Sequence, residues 1–371
     1  MDAAGNWLPS GMDGMDPMNG MDAAVNGCDD RTEGAEGAVT GRTVADDTVT
    51  GGTLADDTAT GGTLHAGETP TDAGLVRRLI AAQFPEWAGL PVRRHPSSGT
   101  VNAVYRLGDH LSVRLPRLES GVPDAVKERT WLPRLAPLLP VAVPEAVGVG
   151  VPGEGYPWTW SVHRWLDGTH PHPDVLASPV GPAGAAGAAD PVALARDLGR
   201  FVTALRRADA TGAPPAYRGG PLAAVDAGTR AALKQLAGMT GLIDTAAATA
   251  AWEKALQAPP WTGPPRWAHA DLMPGNLLVT GGRLCAVIDF GTLGAGDPAC
   301  DLIPAWNLLP APARPAFRDA TTADDAQWER GRGWALSMAL IQLPYYKDTN
   351  PAMAENARHV IREVLADEGA R

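Results

Sequence analysis

The chain of 371 residues contains only three cysteines, Cys28, Cys285 and Cys300, and their spacing matches no metal-binding pattern. So few thiols exclude a disulfide framework and favour a reducing compartment. No stretch approaches the roughly 18 apolar residues that a membrane span requires. The N-terminus is acidic where a signal peptide would be basic, so the sequence predicts a cytoplasmic protein without membrane contact.

An excess of positive charge is also missing. The formal net charge is -11, but residues 1–70 hold 13 acidic and two basic side chains and account for all of it. The rest of the chain carries 29 side chains of each sign and is therefore neutral. A neutral body has no general attraction to nucleic acid, so no nucleic-acid partner is predicted. Nothing in the pattern indicates a protein partner either.

Residues 1–72 also contain few large apolar side chains. Five of the nine methionines lie in residues 1–21, and a ten-residue period follows, TVADDTVTGG and then TLADDTATGG. Such a composition cannot bury enough surface to offset the entropy lost on folding. Two copies are also too few for a β-solenoid. We therefore predict a disordered acidic tail over residues 1–72.

Periodic patterns begin at Asp72, which is placed to cap an amphipathic helix over residues 72–84. Alternating apolar residues predict the strands of a small antiparallel sheet in four segments: 100–107, 110–116, 144–151 and 156–168. Gly108-Asp109 between the first two segments is a hairpin turn signal. On the second strand Leu111, Val113 and Leu115 share one face, so Arg114 points to the other.

A helix is predicted over residues 122–135, with Glu128 on its apolar stripe beside Trp131, Leu132 and Leu135. A carboxylate that faces a core needs a cation, and Arg114 is the candidate. The alternative is a solvated Glu128 at the edge of the stripe.

The remainder of the chain is mostly helical. Apolar residues recur at helical spacing in five segments: 191–208, 244–257, 299–309, 324–343 and 351–367. The Ala/Gly/Pro-rich segment 178–190 is predicted to be a loop. Upstream of the first hairpin, the small turn Ser98-Gly99-Thr100 could let backbone N–H groups approach a phosphate, although a single glycine is a weak signal.

One hairpin is embedded in this helical region, in the stretch WAHADLMPGNLLVTGGRLCAVIDFG. The turn 280–283 joins two antiparallel strands, so Asn276, which enters the first, and Asp289, which leaves the second, lie within reach of one cation. An amide oxygen and a carboxylate suit Mg²⁺ that also binds phosphate oxygens. Asp271 opens the same loop and is placed to hold a substrate hydroxyl. These are the minimum parts of a phosphoryl-transfer site.

Three motifs carry a family resemblance. HADLMPGN resembles the HxDxxxxN catalytic loop of the protein-kinase-like fold, IDFG resembles its metal-binding Asp-Phe-Gly, and GDPACDL resembles a signature of the aminoglycoside phosphotransferase family. The resemblance covers roughly residues 73–365. It implies an α+β, two-lobed kinase-like fold, with a small antiparallel-sheet N-lobe over residues 73–165 and a larger helical C-lobe over residues 166–371.

The resemblance also implies roles for individual residues. Asp271 becomes the catalytic base or hydroxyl-orienting residue, and Asn276 and Asp289 become Mg²⁺ ligands. The residues implied to contact ATP or GTP are Ser98, Gly99, Thr100, Arg114, Glu128 and the hinge residues Ser161, Val162 and His163. His269 and Asp297 are expected to be structural, and Asp301 is expected to fix the catalytic loop.

Arg114 departs from the family, which usually has a phosphate-binding Lys at this position. Because a guanidinium is a planar fork and an ammonium a point charge, the exchange is not neutral. Either Arg114 makes a bidentate phosphate contact in a site shaped for it, or ATP binding is weakened and the protein is an inactive nucleotide-binding module. The retained base and metal ligands favour an active enzyme.

The acceptor is predicted to be a small molecule, because only Thr292–Gly296 separate the Asp-Phe-Gly motif from Asp297 and leave no room for a peptide platform. The acidic stretch 319–329 is the best candidate for binding an aminoglycoside, or else a solvated helix start. Four aromatic residues could instead line a pocket for a macrolide: Trp306, Trp334, Tyr345 and Tyr346. A kinase of a metabolic alcohol or amino sugar remains an alternative.

Overall fold

The structure is a computed structural model that describes residues 68–95, 101–177, 190–239 and 241–369. The predicted phosphate-binding turn Ser98-Gly99-Thr100 lies outside the described residues. So do residues 1–67 of the predicted tail and residues 178–189 of the predicted loop.

The N-lobe is built on an antiparallel sheet with the strand order β1-β2-β3-β5-β4. Its strands are β1 (Val92–Arg94), β2 (Asn102–Leu107), β3 (Leu111–Pro116), β4 (Ala146–Gly150) and β5 (Trp160–Arg164). The β2–β3 hairpin forms where the sequence predicts it, and its turn places Gly108 at φ 58°. Ala103, Tyr105 and Leu107 are buried on one face of β2, which confirms the predicted alternation.

Two helices accompany this sheet, α1 (Ala73–Gln83) and α2 (Val122–Leu135). Asp72 caps α1 as predicted, since its Oδ1 accepts a hydrogen bond from Leu75 N at 2.6 Å. Helix α2 links the lobes, because its Leu132 and Leu135 are buried in the C-lobe core while Glu128, one turn earlier, faces the cleft.

Residues 68–72, which the sequence assigned to the tail, contact the N-lobe and are called here the N-terminal strap. Glu68 Oε2 lies 3.3 Å from Arg117 Nη1, and both side chains are buried. Thr69 N donates to Arg117 O at 2.9 Å, and Thr69 Oγ1 accepts from Trp158 Nε1 at 3.1 Å. Tyr105 OH donates to Thr71 Oγ1 at 3.0 Å. Residues 68–72 therefore belong to the fold of the N-lobe and not to the predicted tail.

The C-lobe is mainly helical. Its helices are α3 (Pro173–Ala177), α4 (Pro191–Arg207), α5 (Asp226–Ala237), α6 (Thr245–Leu256), α7 (Pro304–Asn307), α8 (Arg314–Thr321), α9 (Asp325–Tyr346) and α10 (Pro351–Gly369). Two short antiparallel pairs accompany them: β6 (Arg266–Ala268) with β9 (Gly294–Gly296), and β7 (Leu277–Thr280) with β8 (Arg283–Val287). Helix α9 is buried along most of its length, and α5, α6, α7 and α10 pack against it, while α4 packs against α8.

The two-lobed, α+β kinase-like architecture predicted from the sequence is confirmed, with differences in detail. The helix predicted over 299–309 is divided into a 3-10 segment, Pro298–Leu302, and the short α7. Pro304 is the reason, because proline has no backbone N–H to donate to a carbonyl of the preceding turn. Helices α5 and α8 were not predicted. Within the described part of the chain, no helix is long and apolar enough to cross a membrane.

Candidate active site

The predicted metal ligands lie at the open end of the β7–β8 hairpin, opposite its turn. Thr280 pairs with Arg283 across the turn, and Gly281 and Gly282 adopt φ values of 57° and 75°, which suit a tight two-residue hairpin turn. At the other end of the hairpin, Ile288 N donates to Asn276 O at 2.9 Å. Asn276 and the neighbouring Asp289 therefore lie side by side, as the sequence predicted.

Asp301 holds the catalytic loop through hydrogen bonds to its backbone. Its two carboxylate oxygens accept from His269 N at 2.9 Å and from Ala270 N at 2.8 Å, which confirms the predicted role. Ala270 has φ 66°, a conformation that costs energy for a residue with a side chain, and these two hydrogen bonds hold it. Burial raises the pKa of Asp301 to about 6, against the opposing effect of the two hydrogen bonds.

His269 is structural, as expected. The side chain is fully buried, its Nε2 donates to Ile288 O at 3.1 Å, and its Nδ1 accepts from Asp271 N at 3.3 Å. Burial lowers the pKa of His269 to about 4. A neutral imidazole therefore joins the catalytic loop to the strand that leads to Asp289.

Asp271 is 2% exposed and both of its carboxylate oxygens accept hydrogen bonds. Asn276 Nδ2 donates to Asp271 Oδ2 at 3.0 Å and to Asp271 O at 2.9 Å. The side-chain amide of Asn276 donates both of its N–H groups to Asp271, so its Oδ1 remains available as an acceptor or metal ligand. The loop thus orients the proposed hydroxyl-binding residue and the proposed metal ligand together.

Arg218 is a site residue that the sequence did not reveal. Its Nη1 lies 3.0 Å from Asp271 Oδ1 and 2.7 Å from Ala270 O. The Arg218 and Asp271 side chains are only 5% and 3% exposed, so water hardly reaches this ion pair. Arg218 Nη2 is buried and has no hydrogen-bond partner among the described residues.

Backbone hydrogen bonds hold the segment that carries Arg218, residues 214–219, against β9. Ala216 N donates to Ala295 O at 3.1 Å, and Ala295 N donates to Pro214 O at 2.8 Å. The contact requires glycine at 294, where a Cβ would lie 2.4 Å from Ala216 N. Because the segment has neither helical nor strand periodicity, no sequence signal places Arg218 at the site.

On the nucleotide side, Arg114 Nη1 lies 3.3 Å from Glu128 Oε2, which confirms the predicted pairing. Glu128 Oε1 also accepts from Phe290 N at 2.6 Å. Burial raises the pKa of Glu128, and the guanidinium of Arg114 opposes that rise. Helix α2 therefore connects the strand cation with the Asp-Phe-Gly segment.

Asp289 adopts φ 62° and lines the same cleft as Arg114, Glu128 and Asp124. Its enclosure by protein raises the pKa of Asp289, while Arg114 and Lys127 act in the opposite direction. Lys127, also unforeseen, donates to Gly291 O and lies 3.2 Å from Asp124 Oδ1. A bound cation would stabilise the ionised form of a carboxylate in this environment, because burial and neighbouring carboxylates disfavour it.

Strand β5 contradicts the predicted hinge. It lies inside the sheet between β3 and β4, and Val162 pairs with Val113 on one side and Gly148 on the other. The backbone groups of Ser161, Val162 and His163 therefore belong to two ladders and cannot reach adenine. The backbone N–H of Trp165, just beyond β5, is also paired, since it donates to His110 O at 2.8 Å.

The side chains of this strand alternate between two environments. Val162 is fully buried in the N-lobe core. Ser161 lines the cleft beside Arg114, and its Oγ lies 2.8 Å from His163 Nε2. Burial, followed by the charge of Arg114, holds the pKa of His163 well below its usual range, so His163 is neutral.

Asn276 and Asp289 fit Mg²⁺ better than a metal held by protein alone. Among the described residues, no group of three or more His, Cys, Asp and Glu side chains could hold an ion. One amide oxygen and one carboxylate are what Mg²⁺ typically takes from a protein when phosphates and water supply the other ligands.

Together, the two-lobed fold, the catalytic loop and the Asp-Phe-Gly hairpin define a phosphotransferase of the kinase-like class. The sequence profile of the phosphotransferase enzyme family, APH, matches residues 92–334. The chain belongs to this family, and it is a small-molecule kinase. A search of curated protein sequences found no significant match.

Several solved structures are similar in fold. The GDP and kanamycin complex of APH(2'')-IIIa superposes with a TM-score of 0.61 at 19% identity, over 79% of this chain and 98% of that one. The streptomycin–ATP ternary complex of APH(2'')-IIa gives 0.52 at 15% identity, over 80% and 96%. The macrolide 2'-phosphotransferase MphH from Brachybacterium faecium gives 0.51 at 23% identity, over 78% and 97%.

Proposed function

We propose that this protein transfers the γ-phosphoryl group of Mg²⁺-bound ATP or GTP to a hydroxyl of a small molecule, with hydroxylated antibiotics as the first acceptor class to test. The observation that carries the proposal is the hydrogen bond between Asn276 and Asp271, 3.0 Å long, beside Asp289. It couples a hydroxyl-binding carboxylate to a pair of metal-ligand oxygens. The similar structures, which include complexes with kanamycin and with streptomycin and a macrolide 2'-phosphotransferase, support the acceptor class.

In this reaction Asp271 accepts the hydrogen bond of the acceptor hydroxyl and directs its oxygen at the γ-phosphorus. The new O–P bond forms as the bond to the nucleoside diphosphate breaks, and the hydroxyl proton passes to Asp271. A loose transition state needs positioning more than a strong base. Two donors on the Asp271 carboxylate fit that requirement, since they fix its orientation and limit its basicity.

The remaining residues hold the nucleotide. Arg114 is proposed to contact the phosphates while Glu128 and Phe290 keep it in place. Mg²⁺, held by Asn276 and Asp289, would offset the negative charge of the β- and γ-phosphates. Ser98, Gly99 and Thr100 remain proposed phosphate contacts.

The test is acceptor-dependent formation of nucleoside diphosphate by the full chain, with ATP and GTP and a panel of hydroxylated antibiotics, metabolic alcohols and amino sugars. Mass spectrometry of the acceptor should show the addition of one phosphoryl group, and Asp271→Asn should abolish it. Tight nucleotide binding without any phosphorylated acceptor across the panel would refute the proposal in favour of an inactive nucleotide-binding module.

A further inference from the structure

The charge of Asp271 is compensated within the protein before any acceptor binds. Arg218 Nη1 contacts the carboxylate at 3.0 Å, and its second contact, to Ala270 O at 2.7 Å, prevents it from swinging away. A hydroxyl bound to Asp271 would lie within about 6 Å of the guanidinium, the length of two hydrogen bonds. An ammonium group next to that hydroxyl would meet the positive charge of Arg218 together with the negative charge of Asp271.

The unpaired Nη2 of Arg218 would favour an oxygen over a nitrogen on an acceptor bound next to Asp271. This atom is buried and has no partner among the residues that the structure describes. A buried donor without a partner is unfavourable, and an oxygen that accepts from it removes the penalty. A hydroxyl, ether or carbonyl oxygen can do so, whereas an ammonium group is only a donor.

A cavity of about 440 Å³ adjoins the catalytic loop and has the size of a small-molecule site. Residues 273–275 of the loop, residues 170–174 and helix α10 enclose it. Met273 and Met353 supply apolar surface in this cavity. Met273, which follows Asp271 by two residues in the loop, lines this cavity, so the cavity is the proposed place for the body of the acceptor.

Two imidazoles in this cavity are neutral. His170 Nδ1 donates to Leu277 O at 3.0 Å, so its Nε2 remains as an acceptor. Burial lowers the pKa of His170 and also that of His359 on α10. Neutral imidazoles bind hydroxyl groups and add no charge that would attract or repel an amine.

The carboxylates of the cavity are paired or solvated. Glu355 accepts from Arg358 at 3.1 Å and from Arg362 at 3.2 Å. Asp174 is 87% exposed, so water screens its charge. Among the described residues that line the cavity, no buried carboxylate is left to receive an ammonium group.

In the acidic stretch 319–329, the candidate site for an aminoglycoside, three carboxylates already have partners within the protein. Asp324 caps α9 by accepting from Gln327 N at 2.7 Å. Asp325 pairs with Arg318, and Glu329 pairs with the buried Arg332. These contacts favour the alternative interpretation of the stretch as the start of a helix.

From these observations we infer that the acceptor is an uncharged hydroxyl compound, with an oxygen and not an amine beside its reacting hydroxyl, and that Arg218 sets this preference. The inference rests on the proposed function and narrows its acceptor class. Arg218 acts here as a specificity-determining residue, because its charge and its unpaired donor both disfavour an ammonium group.

A matched pair of acceptors tests the inference directly. An aminocyclitol glycoside with free amines and its fully N-acetylated derivative carry the same hydroxyls but differ in charge. We expect the acetylated form to have a kcat/KM at least about tenfold higher, since Arg218 cancels the attraction of Asp271 for an ammonium group and an acetyl oxygen can accept a hydrogen bond that an ammonium group cannot. Equal or better use of the free amine would overturn the inference and leave the proposed function standing. Failure of every compound in the wider panel would overturn both.

Arg218→Gln tests the residue. If Arg218 sets the preference, this variant should shift the kcat/KM ratio of the two acceptors at least about fivefold towards the free amine. The reason is that no cation then compensates the negative charge of Asp271, which can attract an ammonium group. Arg218→Lys keeps the cation and should keep the ratio. Arg230→Gln, in a solvent-exposed pair with Asp226 and Glu253, is the matched control and should leave it unchanged. A purely structural role for Arg218 lowers both acceptors equally, and an unchanged ratio in a folded Arg218→Gln protein would overturn the assignment.

Discussion

Two arginine–carboxylate pairs, one on the proposed nucleotide side of the site and one on its proposed acceptor side, differ in how far water reaches them. The Arg114–Glu128 pair on the nucleotide side has side chains that are 19% and 10% exposed and a separation of 3.3 Å. The Arg218–Asp271 pair on the acceptor side is 5% and 3% exposed, with a separation of 3.0 Å. The first pair can open towards a phosphate, whereas the second is fixed before any substrate arrives.

The difference follows from what each pair has to do. In the proposed reaction Arg114 exchanges part of its contact with Glu128 for phosphate oxygens when a nucleotide binds, so partial exposure lowers the cost of that rearrangement. Asp271, as the proposed hydroxyl-binding residue, has to present one geometry to the acceptor, so burial and multiple hydrogen bonds serve it better. The predictions below test this contrast from the largest expected effect to the smallest.

The largest effect should separate catalysis from nucleotide binding. Asp271→Asn removes the proton acceptor but keeps the shape of the side chain, and we expect kcat to fall by about 10²–10⁴-fold with nucleotide affinity nearly unchanged. Asp289→Asn should instead abolish the Mg²⁺ dependence of nucleotide binding. Steady-state kinetics and nucleotide titrations distinguish the two, and similar titrations for both variants would contradict the division of roles.

The N-terminal strap should matter more for stability than its length suggests. A deletion of residues 1–67 keeps the whole strap. A deletion of residues 1–70 removes Glu68 and leaves Arg117 buried without its partner. Breaking a buried pair in this way costs about 3–5 kcal/mol. Thermal unfolding should therefore show a clear drop in Tm for the longer deletion only. Equal Tm values for the two truncated proteins would show that the strap contributes nothing.

The free energy of unfolding should also depend on pH, because His269 and Asp301 are buried on the acceptor side. The pKa of His269 is about 4 in the folded protein, against 6.5 for a free histidine, so its contribution to stability is full above pH 6.5 and is lost as the pH falls towards 4. The loss should reach roughly 3 kcal/mol. Asp301, with its raised pKa of about 6, acts with the opposite sign, since its contribution is lost as the pH rises through 6.

The difference in unfolding free energy between the parent protein and His269→Gln isolates the histidine, because Asp301 is present in both. That difference should fall between pH 6.5 and pH 4 in chemical denaturation experiments. A difference that stays constant across this range would mean that His269 is not buried in its neutral form.

The smallest effect is expected at the nucleotide-side pair. Arg114→Met and Glu128→Gln should each weaken nucleotide binding about tenfold, and the double variant should lose little more than the worse single one, because the two side chains act together. Arg114→Lys should retain partial activity, since a point charge does not reproduce the fork. Arg78→Met, at an exposed pair with Glu154, is the control. Parent-like nucleotide binding by Arg114→Met would exclude it as the phosphate anchor.

Periodicity explains which parts of the site could be predicted from the sequence. Arg114 and Glu128 lie on a strand and a helix whose apolar patterns fix the direction of every side chain, so their pairing was predictable. The double-glycine turn likewise fixes the antiparallel pairing of β7 and β8, but a β-bulge between Leu278 and Val279, which the sequence did not reveal, sets the register that pairs Asn276 with Ile288. For Arg114 and Glu128, local rules are enough to set the geometry.

Other features depend on information that no local pattern carries. Arg218 lies in an aperiodic segment 53 positions before Asp271 in the chain, and only the packing of that segment on β9 brings the two together. The hinge was misplaced at Ser161–His163 because the sequence indicates a strand but not its neighbours. Strand order decides which backbone groups are free, and β5 turned out to lie inside the sheet.

The way in which the segment 214–219 is attached has an evolutionary consequence. Its contacts with β9 run through backbone atoms, so the side chain at position 218 can be exchanged while the attachment persists. Gly294, by contrast, has no room for any other residue. Natural variation that adapts the protein to new acceptors should therefore concentrate at position 218 and spare position 294, which gives selection a single-codon route to a different substrate range.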